Sequence, residues 1–351
     1  EGVRRGVSSF LVSTLGFERY REALRNAFTV VVPDTLVALG ELARLHRRRF
    51  SIPVIAVAGS NGKTGTKDLI AHVLGSSFRV LKTEGNFNNH IGVPLTLLRL
   101  TSRHEAAVIE IGTNHFGEVD ALCRVVEPTH GLVTSIGREH LEFFGDLEGV
   151  ARAEFELYDW LAEHEAFALA WWDDPYIRSY FSGKRKTFPV SRFLPYCLEG
   201  WPRAQTTPRA PRNAPASAGM LSGRRIGFSQ SLQALLRFGR KKRLLFRTTI
   251  GAPGRAGELA AVAAVAVAVS LHIPARLLPK RLSSFKPASS KRMEIRTFRG
   301  ITFINDAYNS NPDSLRLGLN SIAEYPCRGA KHLVLADMLE LGRTAPREHR
   351  G

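Results

Sequence analysis

Val54-Ile55-Ala56-Val57-Ala58-Gly59-Ser60-Asn61-Gly62-Lys63-Thr64-Gly65-Thr66-Lys67-Asp68 runs from an apolar segment through a glycine-bounded turn into a polar helical start. The β-branched run Val54 to Ala58 predicts a buried parallel strand, Gly59 to Gly62 a tight loop, and Thr64 onward the first turn of a helix. Gly59 and Gly62 have no Cβ, so backbone N–H groups can close around phosphate oxygens where the helix dipole favours negative charge. Lys63 would then reach β- and γ-phosphates, and the Thr64 hydroxyl would meet the accompanying Mg²⁺. Gly59, Ser60, Asn61, Gly62, Lys63, Thr64 and Gly65 are therefore the candidate ATP-binding loop. A long phosphate loop carries glycine five residues before Gly62; Val57 stands there, so this is the shorter G-x-x-G-K-T form. The plainer reading, a glycine-rich turn with a surface lysine, is decided only by the surrounding motifs.

At 351 residues the chain can hold two or three domains, each with an ample core. Cys123, Cys197 and Cys327 are too few and too widely spaced for a disulfide framework or a zinc site, and fit a reducing compartment. The net charge of +17 is uneven: residues 183–249 hold fifteen Lys/Arg against one acid, Glu199, leaving +3 for the rest. No basic-then-apolar leader opens the chain, and the apolar run Leu259 to Ile273 is shorter than the ~20 residues of a membrane span. That run reads as a buried helix, and the chain as a cytoplasmic protein without a membrane span.

Val30 to Val32 predicts a short strand. The spacing of Leu36, Leu39, Leu42 and Leu45 after Asp34-Thr35 predicts an amphipathic helix with a side-chain N-cap. Beyond the phosphate loop, Arg79 to Lys82, Ala106 to Ile111 and Gly131 to Ser135 read as further strands. Between them lies Asn86-Phe87-Asn88-Asn89, an irregular loop whose amides could bind a polar ligand. Alternating strands and helices predict an α/β fold with an open, mostly parallel sheet, whose ligands sit beyond the carboxyl ends of the strands. The phosphate loop, Glu110 and His140 all fall at such ends, and a hydroxyl, a carboxylate and an imidazole suit a metal–nucleotide site.

Four blocks now carry a resemblance: Gly59 to Thr64, Gly85-Asn86-Phe87-Asn88-Asn89-His90-Ile91-Gly92-Val93-Pro94, Glu110-Ile111-Gly112-Thr113-Asn114-His115, and Gly137-Arg138-Glu139-His140-Leu141-Glu142. Together they resemble the central ATPase domain of the Mur ligases, in the branch that adds D-alanyl-D-alanine. Asn305-Asp306-Ala307-Tyr308-Asn309-Ser310-Asn311-Pro312-Asp313 resembles the start of that family's Rossmann-like C-terminal domain. The resemblance implies an ATP- and Mg²⁺-dependent peptide ligase of peptidoglycan synthesis, joining D-alanyl-D-alanine to a UDP-N-acetylmuramoyl tripeptide through an acyl phosphate, and acting as a monomer. It implies that Lys63, His140, Asp306 and Asn309 serve catalysis, that Asn311 joins the nucleotide loop, and that Thr64, Glu110, His140 and Glu154 hold the metal.

The chain departs from the family in places. Where the family carries a carbamylated lysine, Glu154 stands, a carboxylate that needs no CO₂. Where the family carries Gly-Arg-His-Asn near adenine, this chain reads Gly254-Arg255-Ala256-Gly257. The expected division is 1–33, a remnant of the N-terminal UDP-substrate domain or a leader; 34–182, the central ATPase domain; and 183–249, a basic divergent or disordered segment. The helical end of the central domain follows over 250–285, and a partial C-terminal ligase domain over 286–351. Two rival readings are an inactive ligase-like scaffold whose basic segment, densest at Arg240 to Arg243, binds nucleic acid or an anionic surface, and a sister ligase, of the folylpolyglutamate or the diaminopimelate-adding Mur type. The Asn-rich block argues against the sister ligase, and no nucleic-acid fold surrounds the basic run.

Overall fold

Asp34 ends the first structural unit and begins the second, its side chain accepting from Leu36 N at 2.7 Å and Val37 N at 3.1 Å. Before it, Ser9–Ser13 (β1) and Phe28–Val32 (β2) pair in parallel across helix Thr14–Tyr20 (α1). After it runs Thr35–Arg47 (α2). The leucine spacing of α2 is amphipathic as expected, but Leu36, Leu42 and Leu45 are exposed and Gly40, Ala43 and Arg47 face inward. Arg47 decides this: its guanidinium donates to Val126 O, Glu127 O and Phe50 O, anchoring that face to the protein. The computed structural model describes residues 2–183, 188–199, 219–225, 231–238, 241–251, 254–287, 294–327 and 329–350.

The run Val54–Ala58 (β3) is buried at every residue, as a strand covered on both faces requires. Lys63–Leu74 (α3), Val80–Lys82 (β4), Gly92–Leu97 (α4) and Ala106–Glu110 (β5) follow. Next come Glu118–Val126 (α5), His130–Val133 (β6), Leu141–Phe144 (α6), Leu147–Glu154 (α7) and Glu156–Glu163 (α8). Phe167–Trp171 (β7) and Pro175–Ser182 (α9) complete this alternation. The basic segment supplies four strands, Phe193–Glu199 (β8), Gly219–Arg225 (β9), Ser231–Phe238 (β10) and Lys241–Thr249 (β11). In β8 the order comes from a period of two, with Leu194, Tyr196 and Leu198 all buried. The Pro- and Arg-rich run 202–212 and the side chains of 240–243 lie outside the described residues.

The nine strands β3–β11 form one sheet in the order β11-β10-β9-β8-β7-β6-β3-β5-β4. From β4 to β9 every neighbouring pair is parallel, and β10 and β11 continue antiparallel. The expected α/β fold with a parallel central sheet is thus observed. The chain leaves β3 toward β4 and β5 on one side and returns to β6 on the other, which opens a crevice at the strand ends beside β3. Gly254–Ser270 (α10) packs on α3, and its run from Ala260 to Ala268 is buried throughout, hence its lack of a polar face. Among the described residues no helix is long and apolar enough to cross a membrane. Leu278–Ser284 (α11), the antiparallel hairpin Glu294–Phe298 (β12) and Ile301–Asn305 (β13), Pro312–Glu324 (α12) and Ala345–Glu348 (α13) follow.

Tyr158 on α8 ties the helix layer to the sheet: its fully buried hydroxyl donates to Leu169 O at 2.9 Å and accepts from Val133 N at 3.1 Å. Tyr158→Phe removes a buried hydroxyl that bonds backbone groups of β6 and β7, each such hydrogen bond being worth about 0.5–1.5 kcal/mol. A drop of about 1–2 kcal/mol in urea-unfolding stability is expected.

Candidate active site

The loop after β3 is held by its neighbours before any ligand enters. Ser60 N donates to Ser135 O at 2.8 Å, Asn61 N to Ser135 Oγ at 3.2 Å, and Gly137 N to Ser60 Oγ at 2.9 Å. Gly59 takes φ 109°, and a Cβ there would collide with Thr134 Oγ1 and the Thr134 backbone nitrogen, so only glycine lets β3 and β6 close so near the loop. Gly62 takes φ 80° and turns the chain into α3, whose first N–H groups have no intrahelical partner.

Two carboxylate groups flank this loop. On the β5 side, Glu110 Oε1 accepts from Thr64 Oγ1 at 3.3 Å and from Asn88 Nδ2 at 3.0 Å. Glu110 Oε2 is buried without a hydrogen bond, and Lys67 Nζ lies 3.6 Å from it. Lys67, 1 % exposed, also donates to Gly85 O at 3.0 Å, so one lysine a turn beyond Lys63 ties α3 to the Asn-rich loop. Its remaining neighbour, Asp68, pairs with Lys82 at 2.6 Å.

On the β6 side, Lys63 Nζ lies 3.5 Å from Glu139 Oε2. Glu154, fully buried at the end of α7, accepts from Gly59 N at 2.6 Å. Burial lifts the Glu154 carboxyl from an ordinary 4.5 to about 8; Lys63 opposes the rise and neighbouring Glu139 adds to it. Burial works against the Lys63 ammonium, yet Glu139, Glu154 and Glu110 outweigh it and hold its pKa above the ordinary value. Glu139 Oε1 and Glu154 Oε1 are buried, and a hydrogen bond between the two carboxyls adds to the rise at Glu154.

A cavity of about 1000 Å³ opens over these groups, floored by Asn61, Lys63, Thr64 and Glu110 and faced by Asp306, Tyr308, Asn309 and Asn311. The C-terminal wall is fastened to the loop. Asn311 Nδ2 donates to Asn61 Oδ1 at 2.9 Å while its Oδ1 caps α12, and Arg138 spans to Asp313 at 3.3 Å and Glu348 at 2.6 Å. Such a cavity, with backbone donors, one lysine and acidic oxygens at its base, can take a polyphosphate with a hard cation and a second substrate opposite.

Residues 57–193 match the Mur ligase middle domain, and residues 291–351 match the Mur ligase, glutamate ligase domain. The chain belongs to the Mur ligase family. The UDP-N-acetylmuramoyl-tripeptide--D-alanyl-D-alanine ligase of Bacillus subtilis (strain 168) is 33 % identical over 319 residues, covering 90 % of this chain and 63 % of that protein. The ligase of the same name from Escherichia coli (strain K12) is 32 % identical, covering 89 % of this chain and 64 % of that one. The chain thus spans just under two thirds of these relatives. A crystal structure of MurF from Acinetobacter baumannii superposes with a TM-score of 0.77 at 27 % identity, over 97 % of this chain and 73 % of that one.

The sites that sequence reasoning expected of a Mur ligase are partly drawn together. Lys63, Thr64, Glu110, His140, Asp306, Asn309 and Asn311 all line the cavity, and so do Ala256 and Gly257 at the position read as adenine-facing. Glu154 instead lies beneath the loop, bonded to Gly59 N. His140, at φ 47°, has Nδ1 2.6 Å from Glu340 Oε2, a contact without hydrogen-bond alignment. Among the described residues no three His, Cys, Asp or Glu side chains converge as a metal cage, so Thr64, Glu110, His140 and Glu154 are not a preassembled set. Lys67, Asn88 and Glu139 were missed as individual site residues. Asn88 was legible only as one of three asparagines, of which Asn89 accepts from Ile91 N and Gly92 N, and nothing local marks Glu139 as the partner of Lys63.

The raised Glu154 carboxyl has a signed consequence. The native state keeps a proton that the unfolded chain releases near 4.5, so this group's contribution to stability is complete below 4.5 and is lost as pH rises toward about 8. Parent stability in urea should therefore fall across that window relative to Glu154→Gln. Parallel profiles would show that the buried carboxyl titrates normally.

Proposed function

We propose that this chain is the catalytic part of an ATP-dependent ligase that joins D-alanyl-D-alanine to a UDP-N-acetylmuramoyl tripeptide in the cytoplasm. The observation that carries the reading is the two-sided cavity: Lys63, Thr64 and Glu110 on its floor and Asp306, Tyr308, Asn309 and Asn311 opposite. The relatives named as D-alanyl-D-alanine ligases support the choice of substrates.

In this reading the peptide carboxylate attacks the γ-phosphorus of ATP, giving an acyl phosphate and ADP. The dipeptide amine then adds to the acyl carbon, and the tetrahedral intermediate expels phosphate and leaves an amide. Lys63 and the first N–H groups of α3 balance charge on the transferring oxygens, so the protein's part is positioning and electrostatics. The α12 cap and its bond to Asn61 set the distance between the nucleotide floor and the wall that bears Asp306 and Asn309.

Mg²⁺ fits the oxygen chemistry of this floor, since Glu110 Oε2 is a buried oxygen without a hydrogen bond and the Thr64 hydroxyl lies beside the same carboxylate. When bound it would neutralise phosphate charge, with Thr64 and Glu110 the nearest candidates to hold it and waters filling the remaining positions.

Lys63→Ala should abolish binding of ADP with Mg²⁺ in calorimetry while leaving the urea midpoint near that of the parent; unchanged binding refutes the reading. Because Glu154 stands where the family carries a carbamylated lysine, Mg²⁺-dependent ADP binding should not respond to added bicarbonate. A bicarbonate-dependent rise in affinity would place a carbamylated lysine in the site instead.

A further inference from the structure

We infer that Glu139 makes the Lys63 loop selective for a polyphosphate that arrives together with its divalent cation. The inference rests on the nucleotide reading above and assigns a specificity-determining role to a residue of the Gly137 to Glu142 block that this reading left without one.

The geometry is that of an internal competitor. Glu139 Oε2 lies 3.5 Å from Lys63 Nζ, the two side chains are only 10 % and 15 % exposed, and both line the cavity where a terminal phosphate would enter. Glu139 also meets the buried Glu154 carboxyl, whose proton it helps to hold. Glu154 and Glu110 act on Lys63 alongside it. Of the nearby cations, Lys67 is shared by Glu110 and Asp68, and Lys82 is taken by Asp68. The loop lysine therefore faces the carboxylates of Glu139 and Glu110.

An uncomplexed polyphosphate must displace Glu139 from Lys63 and then lie against these carboxylates, where low solvation makes like-charge repulsion strong. A divalent cation reverses the sign. It neutralises the phosphate charge that the carboxylates would otherwise repel, so the penalty set by Glu139 falls away.

The test is calorimetric binding of ADP, in EDTA and in saturating MgCl₂, to parent, Glu139→Gln and Glu139→Asp, with urea midpoints confirming that each is folded. Glu139→Gln should tighten binding in EDTA by about tenfold and change binding in MgCl₂ by less than about threefold. Glu139→Asp should keep most of the parent's discrimination. Unchanged binding in EDTA overturns the inference and makes the Lys63–Glu139 pair merely structural. Weakening confined to MgCl₂ overturns it too, because Glu139 would then be a cation ligand. If the parent binds ADP in neither condition, the nucleotide reading fails with it, which separates the two failures.

Discussion

Everything in the site depends on how closely the loop after β3 can approach the end of β6. Gly59 meets Thr134 at a separation that no Cβ permits, and that proximity lets Ser60 and Asn61 bond to Ser135. The loop is therefore shaped by the sheet beneath it, so its donors do not have to be ordered when a phosphate binds. The same closeness exposes Gly59 N to Glu154, so a carboxyl group on α7 becomes part of the loop's support.

This support has an electrostatic cost that gives the site its character. Glu154 is fully buried, and its carboxyl is pushed up to about 8 by burial. Lys63 answers with a raised pKa, because three carboxylates outweigh its own desolvation. Glu110 is balanced differently, by Lys67 on one oxygen and by Thr64 and Asn88 on the other. The loop thus stands between one carboxylate with a resident cation and a pair whose nearest cation is the loop lysine itself.

The second constraint is between domains. Arg138 follows β6, so it is positioned by the central sheet, yet its guanidinium binds Asp313 and Glu348 of the C-terminal segment. With Asn311 bonded to Asn61, the cavity has walls from two parts of the chain about 250 residues apart. Partly exposed ion pairs contribute little stability singly. Several on one surface nonetheless fix orientation, which is what a reaction between two bound substrates requires.

Much of this was legible in the residues. The unbroken apolar runs of β3 and β5 could only be strands covered on both faces, and Gly59 to Thr64 between strand and helix could be read as a phosphate loop with Glu110 at a neighbouring strand end. The buried helix read over Leu259 to Ile273 is found over Gly254–Ser270, five residues earlier at its start. Local patterns failed where partners are distant. The leucines of α2 faced outward because Arg47 found carbonyls at 126 and 127, and the basic segment gave four strands because β7 offered β8 an edge to join. Sequence determined the loop, the fold class and the polar groups at the strand ends, since each follows from short-range periodicity and glycine stereochemistry. Only the tertiary structure decided that Glu154 supports the loop from beneath, that Glu139 holds Lys63, and that Asn311 reaches Asn61, because these pairings depend on which strand ends the sheet order brings together.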